Sequence, residues 1–275
     1  MMVRGNVIVS NKGTRIADQR KAAAFFDLDR TLIAGSSAFV FGRAAWRAGM
    51  MPTRELMSDA AKAITFRFSG ASDDKSNAVR DRILHAIKGR GVEELMALAD
   101  DVIPRLLDDV RKESQGFIGL HTETGRDTYM VTASPIEIVQ SLALELGMTG
   151  AIATVAEIAD GAYTGELSEP FCYGPAKADA IRRVADREGY DLALCYSYSD
   201  SASDLPMLEI VGHPVAVNPD RGLEAVARAR GWPIVEFSRT ARRVVRTTTA
   251  SFGAVALAAT TYVLGRRHGR RIALF

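Results

Sequence analysis

Cysteine is nearly missing from this chain: only Cys172 and Cys195 occur in 275 residues, far apart and without metal-type spacing. That scarcity excludes the disulfide-dense secreted classes and predicts two buried thiols in a reducing cytosol. Histidine is almost as scarce. His85, His121, His213 and His268 are scattered, so no metal pair forms among them, and surface or loop positions are expected. Net charge is close to absent, +2 from 35 Lys and Arg against 33 Asp and Glu. The acidic residues run along most of the length, which excludes a multi-span membrane protein. The apolar run at 7–9 is far too short for a signal peptide.

What is present reads as an ordinary globular protein. Hydrophobic residues at 47% and charged residues at 25% exclude intrinsic disorder and collagen-like repeats. The length suits one large core, or a core with a smaller accessory domain. The charge is uneven: residues 239–275 carry eight Arg and no acid, leaving 27 basic against 33 acidic residues in the body. A body of −6 does not invite nucleic acid, so no nucleic-acid partner is expected.

Along the chain, residues 1–20 read as a loose, flexible polar leader. The run at 22–28 is continuously apolar and ends in acid, as a strand buried on both faces of a parallel sheet does. Residues 36–115 show helical spacing broken near 49–52, 70–74 and 89–91, which predicts an inserted bundle of about four helices. Strand and helix then alternate. Strands are expected at 127–132, 192–199, 215–217 and 234–237, and a hairpin at 152–158 and 162–167 about Asp160-Gly161. Helices are expected at 175–188, ended by Gly189, near 206–211, and at 223–230. A further helix is predicted to start at Ser134, with Ser134, Pro135 and Glu137 forming a capping box. The pattern is α/β: a doubly wound, mostly parallel, Rossmann-like core over 21–35 and 116–238, an α-helical insertion over 36–115, and a basic and apolar tail over 239–275.

In such sheets ligands lie beyond the carboxyl ends of the strands. One predicted strand ends in Asp27-Leu28-Asp29-Arg30-Thr31, a second in Thr132-Ala133-Ser134, and a third in Ser199-Asp200 with Asp204 beyond. Four carboxylates aimed at one rim repel unless a cation neutralises them, and a small all-oxygen cluster suits Mg²⁺. Lys177, near a helix start, would add positive charge where an anion binds.

The order Asp-x-Asp-x-Thr, Thr, Lys, Asp-x-x-x-Asp resembles the four motifs of the haloacid dehalogenase superfamily of phosphohydrolases. The stretch from Phe25 to Leu32 is the most specific piece, and the resemblance covers about 22–237. The helical insertion resembles the cap of the phosphoserine-phosphatase-like branch, subfamily IB. The resemblance implies a Mg²⁺-dependent phosphomonoester hydrolase acting on a small phosphorylated metabolite. Asp27 would be the nucleophile that forms an aspartyl-phosphate. Asp29 would be the general acid and base, and Thr132 and Lys177 would hold the phosphoryl group. Thr31 would join them in phosphate binding and shape the loop around Asp29. The metal would take the Asp27 carboxylate, the Asp29 carbonyl and Asp200, with Asp204 as ligand or support.

Receiver domains also combine acids, a Thr and a Lys, but are about half this length and need no acid two residues past the phosphorylated one. The dehalogenases proper lack that acid as well, so Asp29 favours a phosphatase over both. A catalytically quiet regulator of the same fold is a further alternative. Phosphoserine as substrate is in question, because Ser36 stands where phosphoserine phosphatases carry a Glu. Phe39, Phe41, Trp46, Phe66 and Phe68 are read as cap core, with a lipid-phosphate pocket as the alternative. Arg43, Arg47 and Arg67 would meet a substrate carboxylate or face water. Residues 247–265 are 19 uncharged residues flanked by Arg. Two readings stand for them: an anionic membrane surface on the cytoplasmic side, or packing against the core of a cytoplasmic protein.

Overall fold

The computed structural model describes residues 21–50 and 73–237. The first strand, β1 (Ala23–Asp27), is buried at every position, as its unbroken apolar run requires. A single wide turn, Leu28–Leu32, follows it. Among the described residues five helices then intervene before the next strand: α1 (Ser37–Arg47), α2 (Asp73–Ile87), α3 (Val92–Met96), α4 (Ala99–Asp108) and α5 (Lys112–Glu123). The last of these crosses the expected boundary at 115.

Strand–helix alternation fills the remainder. It runs β2 (Asp127–Pro135), α6 (Ile136–Glu145), β3 (Gly150–Thr154), β4 (Ala156–Ala159), β5 (Ala162–Leu167) and α7 (Pro175–Glu188). After these come β6 (Tyr196–Ser199), α8 (Leu205–Glu209), β7 (His213–Val217), α9 (Arg221–Arg230) and β8 (Ile234–Val235). Six strands form one sheet in the order β3-β2-β1-β6-β7-β8, every neighbouring pair parallel. The chain moves outward from β1 in one direction and resumes at β6 on its other side. The reversal leaves a crevice between β1 and β6, which is where such sheets bind ligands.

Alternate side chains of β1 serve opposite layers. Phe26 joins Met130, Tyr198 and the inserted helices on one face. Phe25 joins Tyr129, Ile181, Val184 and Met207 beneath α7 and α8 on the other. The chain is thus a doubly wound, three-layer α/β protein, as the alternation predicts. Cys172 and Cys195 are free and buried, as expected.

Some local expectations are corrected. The run at 152–158 divides: β3 pairs with β2 in the main sheet, and only β4 pairs antiparallel with β5. The hairpin turn itself is as predicted, with Asp160 at φ 52° and Gly161 at φ 79°. The strand expected at 192–199 begins only at Tyr196, because Leu192–Leu194 forms a short 3₁₀ turn. The capping box at Ser134 does not form. Pro135 occupies the N-cap, no side chain caps α6, and Ser134 belongs to β2. Phe41 packs against the core, but Phe39 and Trp46 do not join it, being 51% and 40% exposed on α1. Phe66, Arg67, Phe68, the leader 1–20 and the tail 239–275 lie outside the described residues. Among the described residues no helix is long and apolar enough to cross a membrane.

His121 overturns the surface expectation. It is fully buried on α5, with Nε2 2.8 Å from the Tyr198 hydroxyl, and Tyr198 stacks on Phe26 at 4.5 Å. Burial, with Arg126 and His213 nearby, lowers its pKa from 6.5 to about 3. The folded protein therefore refuses a proton that the unfolded chain accepts below pH 6.5. Stability is lost as pH falls through that window, by up to about 1.4 kcal/mol per pH unit. Urea midpoints between pH 7 and 4.5 should fall less steeply for His121→Gln than for the wild type. Equal slopes would remove His121 as the source.

Candidate active site

The carboxyl ends of β1, β2 and β6 bring the expected residues together. Asp27 is the last residue of β1 and is buried. Its strand neighbour in register is Val131, so Thr132 follows one step beyond, also buried. Ser199 closes β6, and the turn after it carries Asp200 and Asp204, both buried.

Lys177 is placed by its helix. Pro175 begins α7 and Gly174 precedes it at φ 54°, ψ −125°, a conformation suited to glycine. That start aims the buried Lys177 ammonium into the acids. Nζ lies 2.6 Å from Asp27 Oδ1 and 3.0 Å from Asp204 Oδ2. Ser199 Oγ donates to the same Asp204 oxygen at 2.7 Å. Asp204 is therefore tied to Lys177 and Ser199 rather than acting as a helix cap, and no capping bond comes from its side chain.

Burial dominates the electrostatics. It pushes Asp27 up to about 7; Lys177 opposes this, while Asp204 and Asp29 add to it. Asp200 is raised well above the usual range by burial and then by the charge of Asp27, with Arg30 opposing. Burial alone would lower Lys177, but Asp204 and Asp27 outweigh it and keep the ammonium charged. The nearby Cys172 thiol is pushed up to about 11 by burial, so it is no nucleophile at neutral pH.

Asp29 stands apart from the other acids. It is half-buried, and its Oδ1 accepts the Ser37 amide at 2.5 Å. Burial raises its pKa, while the amide and hydroxyl of Ser37 oppose the rise. Between the acids, Arg30 sits at φ 60°, rare for a bulky side chain, and its Nε meets Asp200 Oδ2 at 3.0 Å. Thr31 is buried with Oγ1 unpartnered, while its carbonyl accepts Ser114 Oγ at 2.8 Å. Thr132 Oγ1 accepts the Ser134 amide at 3.2 Å.

The residues fit a divalent cation by their donor chemistry. Asp204 Oδ1 is buried without a hydrogen-bond partner, and the surrounding donors are carboxylate oxygens. Among the described residues no three His, Cys, Asp or Glu side chains form a ready cage. Mg²⁺ binds through one or two carboxylates and keeps its remaining places for water and substrate.

Several contributors escaped the sequence. Ser37 and Ser199 sit in unremarkable serine-rich stretches. Asp220 is a third case: its carboxylate accepts Ser201 Oγ and the Ala202 and Leu223 amides, and its own amide donates to the Asp200 carbonyl at 2.7 Å. It thereby clamps the acidic turn. Its Asp-Arg-Gly helix-start spacing was the only available signal. Of the arginines singled out in the insertion, Arg47 pairs with Asp101 on the exposed surface.

Comparison with known proteins places this architecture. The family model for haloacid dehalogenase-like hydrolases matches residues 24–209. A probable phosphatase of Mycobacterium tuberculosis is 39% identical over 263 residues, covering 91% of each chain. A phosphoserine phosphatase of the same organism is 40% identical over 227 residues, covering 82% of this chain and 73% of that one. Among solved structures, a protein of unknown function from Bordetella pertussis superposes with a TM-score of 0.68 at 25% identity, over 78% of this chain and 98% of that one.

Lys177→Met would leave Asp27 and Asp204 buried without their shared cation. In excess chelator it should lower unfolding free energy by about 3–5 kcal/mol, and adding Asp204→Asn should restore part of that loss. Urea denaturation measures both. An undiminished stability for the single variant would contradict the triad as drawn.

Proposed function

We propose, from the premise that this chain belongs to the haloacid dehalogenase-like hydrolase family, that it is a Mg²⁺-dependent phosphatase working through an aspartyl-phosphate on Asp27. The observation that carries the reading is the buried Asp27 carboxylate, at the end of the central strand, held 2.6 Å from the Lys177 ammonium. A carboxylate in that crevice has the position of a nucleophile, and the lysine offsets its charge as a phosphoryl group approaches.

The atoms balance as follows. An Asp27 oxygen attacks phosphorus, the bond from phosphorus to the ester oxygen breaks, and Asp29 gives its proton to the leaving oxygen. Water then attacks the phosphorus of the acyl phosphate, Asp29 takes a water proton, and inorganic phosphate leaves with Asp27 restored. Burial holds Asp29 above the ordinary carboxylate range, which favours its acid form in the first step. Lys177 and the Thr132 hydroxyl hold phosphoryl oxygens. The Asp27 and Asp200 carboxylates and the Asp29 carbonyl would hold Mg²⁺, with Asp204 beside them, supplying Lewis-acid stabilisation of phosphoryl charge.

The described inserted helices act as a cap over this crevice, and the substrate is a small phosphorylated metabolite. The phosphoserine phosphatase relative supports that class. Ser36 supplies no carboxylate for an amino group; it precedes α1 as its N-cap. A substrate without that ammonium is therefore favoured over phosphoserine itself.

Asp27→Asn should lower hydrolysis of an aryl phosphate at least ~10³-fold while the fold persists. Chelation should abolish wild-type turnover and Mg²⁺ restore it, with Ca²⁺ a poor substitute because it accepts extra ligands. A variant keeping a tenth of wild-type turnover, or full activity in excess chelator, would overturn the reading.

A further inference from the structure

Ser134 lost its expected capping role, and the structure gives its hydroxyl a different partner. Ser134 Oγ lies 3.0 Å from Ser37 Oγ, across 97 residues of sequence, and both side chains are buried. Ser37 is the first residue of α1, where the inserted helices begin. Its amide meets Asp29 Oδ1, and its hydroxyl acts on the same carboxylate. On its other side the Ser134 amide donates to Thr132 Oγ1. One line of contacts thus runs from Asp29 through the start of α1 to the end of β2.

We propose that Ser37 and Ser134 are positioning residues: their paired hydroxyls latch α1 to β2 and so hold the Asp29 carboxyl where it can protonate the leaving oxygen. The inference rests on the assignment of Asp29 as general acid. Its physical basis is placement. The acid lies in a turn whose backbone is not helical, with Asp29 at ψ 125° and Arg30 at φ 60°. The backbone there does not by itself aim the side chain. Without the latch, α1 is free to withdraw the Ser37 amide, and proton delivery tolerates little misplacement. Holding Asp29 by an amide of the insertion also makes acid competence depend on the insertion being seated. A buried serine pair that merely fills space would leave proton delivery untouched.

The test is a series of substituted aryl phosphates of rising leaving-group pKa, assayed with saturating Mg²⁺. Poor leaving groups need the acid most, so a misplaced acid steepens the dependence of kcat on leaving-group pKa. Asp29→Asn sets the limit, with the steepest slope. Ser134→Ala and Ser37→Ala should fall between it and wild type, losing about 10-fold on the poorest leaving group and under about 3-fold on nitrophenyl phosphate. The double variant leaves neither hydroxyl unpaired and should match Ser37→Ala, which already opens the latch and removes the hydroxyl that acts on Asp29. It also gives a reading if a single variant fails to fold. Ser134→Thr should restore the wild-type slope. Wild-type slopes in the alanine variants, beside a steep slope for Asp29→Asn, would overturn the latch. A wild-type slope for Asp29→Asn would instead overturn the acid assignment itself.

Discussion

The structure depends on one buried cation. Lys177 lies between Asp27 and Asp204, three ionisable groups withdrawn from water together. Two buried carboxylates facing each other without a counter-charge would be strongly unfavourable, so β1, the turn after β6 and the start of α7 must be arranged around the ammonium. The left-handed Gly174 and the proline that follows it set that helix start. The crevice between β1 and β6 supplies the place, because the chain leaves those two strands in opposite directions. Stability and chemistry therefore meet in the same three side chains.

Around that centre, support comes from the main chain and from short polar side chains. Asp220 clamps the acidic turn through three hydrogen bonds and caps its own helix with a fourth. Arg30 accepts an uncommon backbone conformation and places its guanidinium against Asp200. Strain of that kind persists only where the surroundings hold it, here in the turn directly after Asp27. The surrounding turns present charges, while the apolar layers on both faces of the sheet keep the strand ends fixed.

Much of this was legible in the sequence. The unbroken run of β1, the Asp160-Gly161 turn and the Pro175 to Gly189 helix each carry local chemistry that determines their conformation, and each formed as read. The motif residues were legible as well, because acids directly after buried strands have few structural explanations. The failures share one cause, which is that a local rule met a distant partner. Ser134 had capping chemistry in its favour, but Ser37 from the inserted helices takes its hydroxyl. His121 looked like a surface residue until Tyr198, 77 residues away, gave its ring a buried partner. Asp220 carried too little pattern to stand out, since the fold alone brings Asp200, Ser201 and Ala202 to it, whereas Ser199 meets Asp204 and the Ser201 amide within its own turn.

The central claim is that Asp27 carries the phosphoryl group between the two half-reactions. The most direct measurement is mass spectrometry of the acid-quenched enzyme during turnover of an aryl phosphate with Mg²⁺. The account predicts a phosphoryl adduct on the peptide containing Asp27, absent from Asp27→Asn and discharged by hydroxylamine as an acyl phosphate is. Turnover with no adduct under conditions where the second step limits, or an adduct on any other residue, would contradict it.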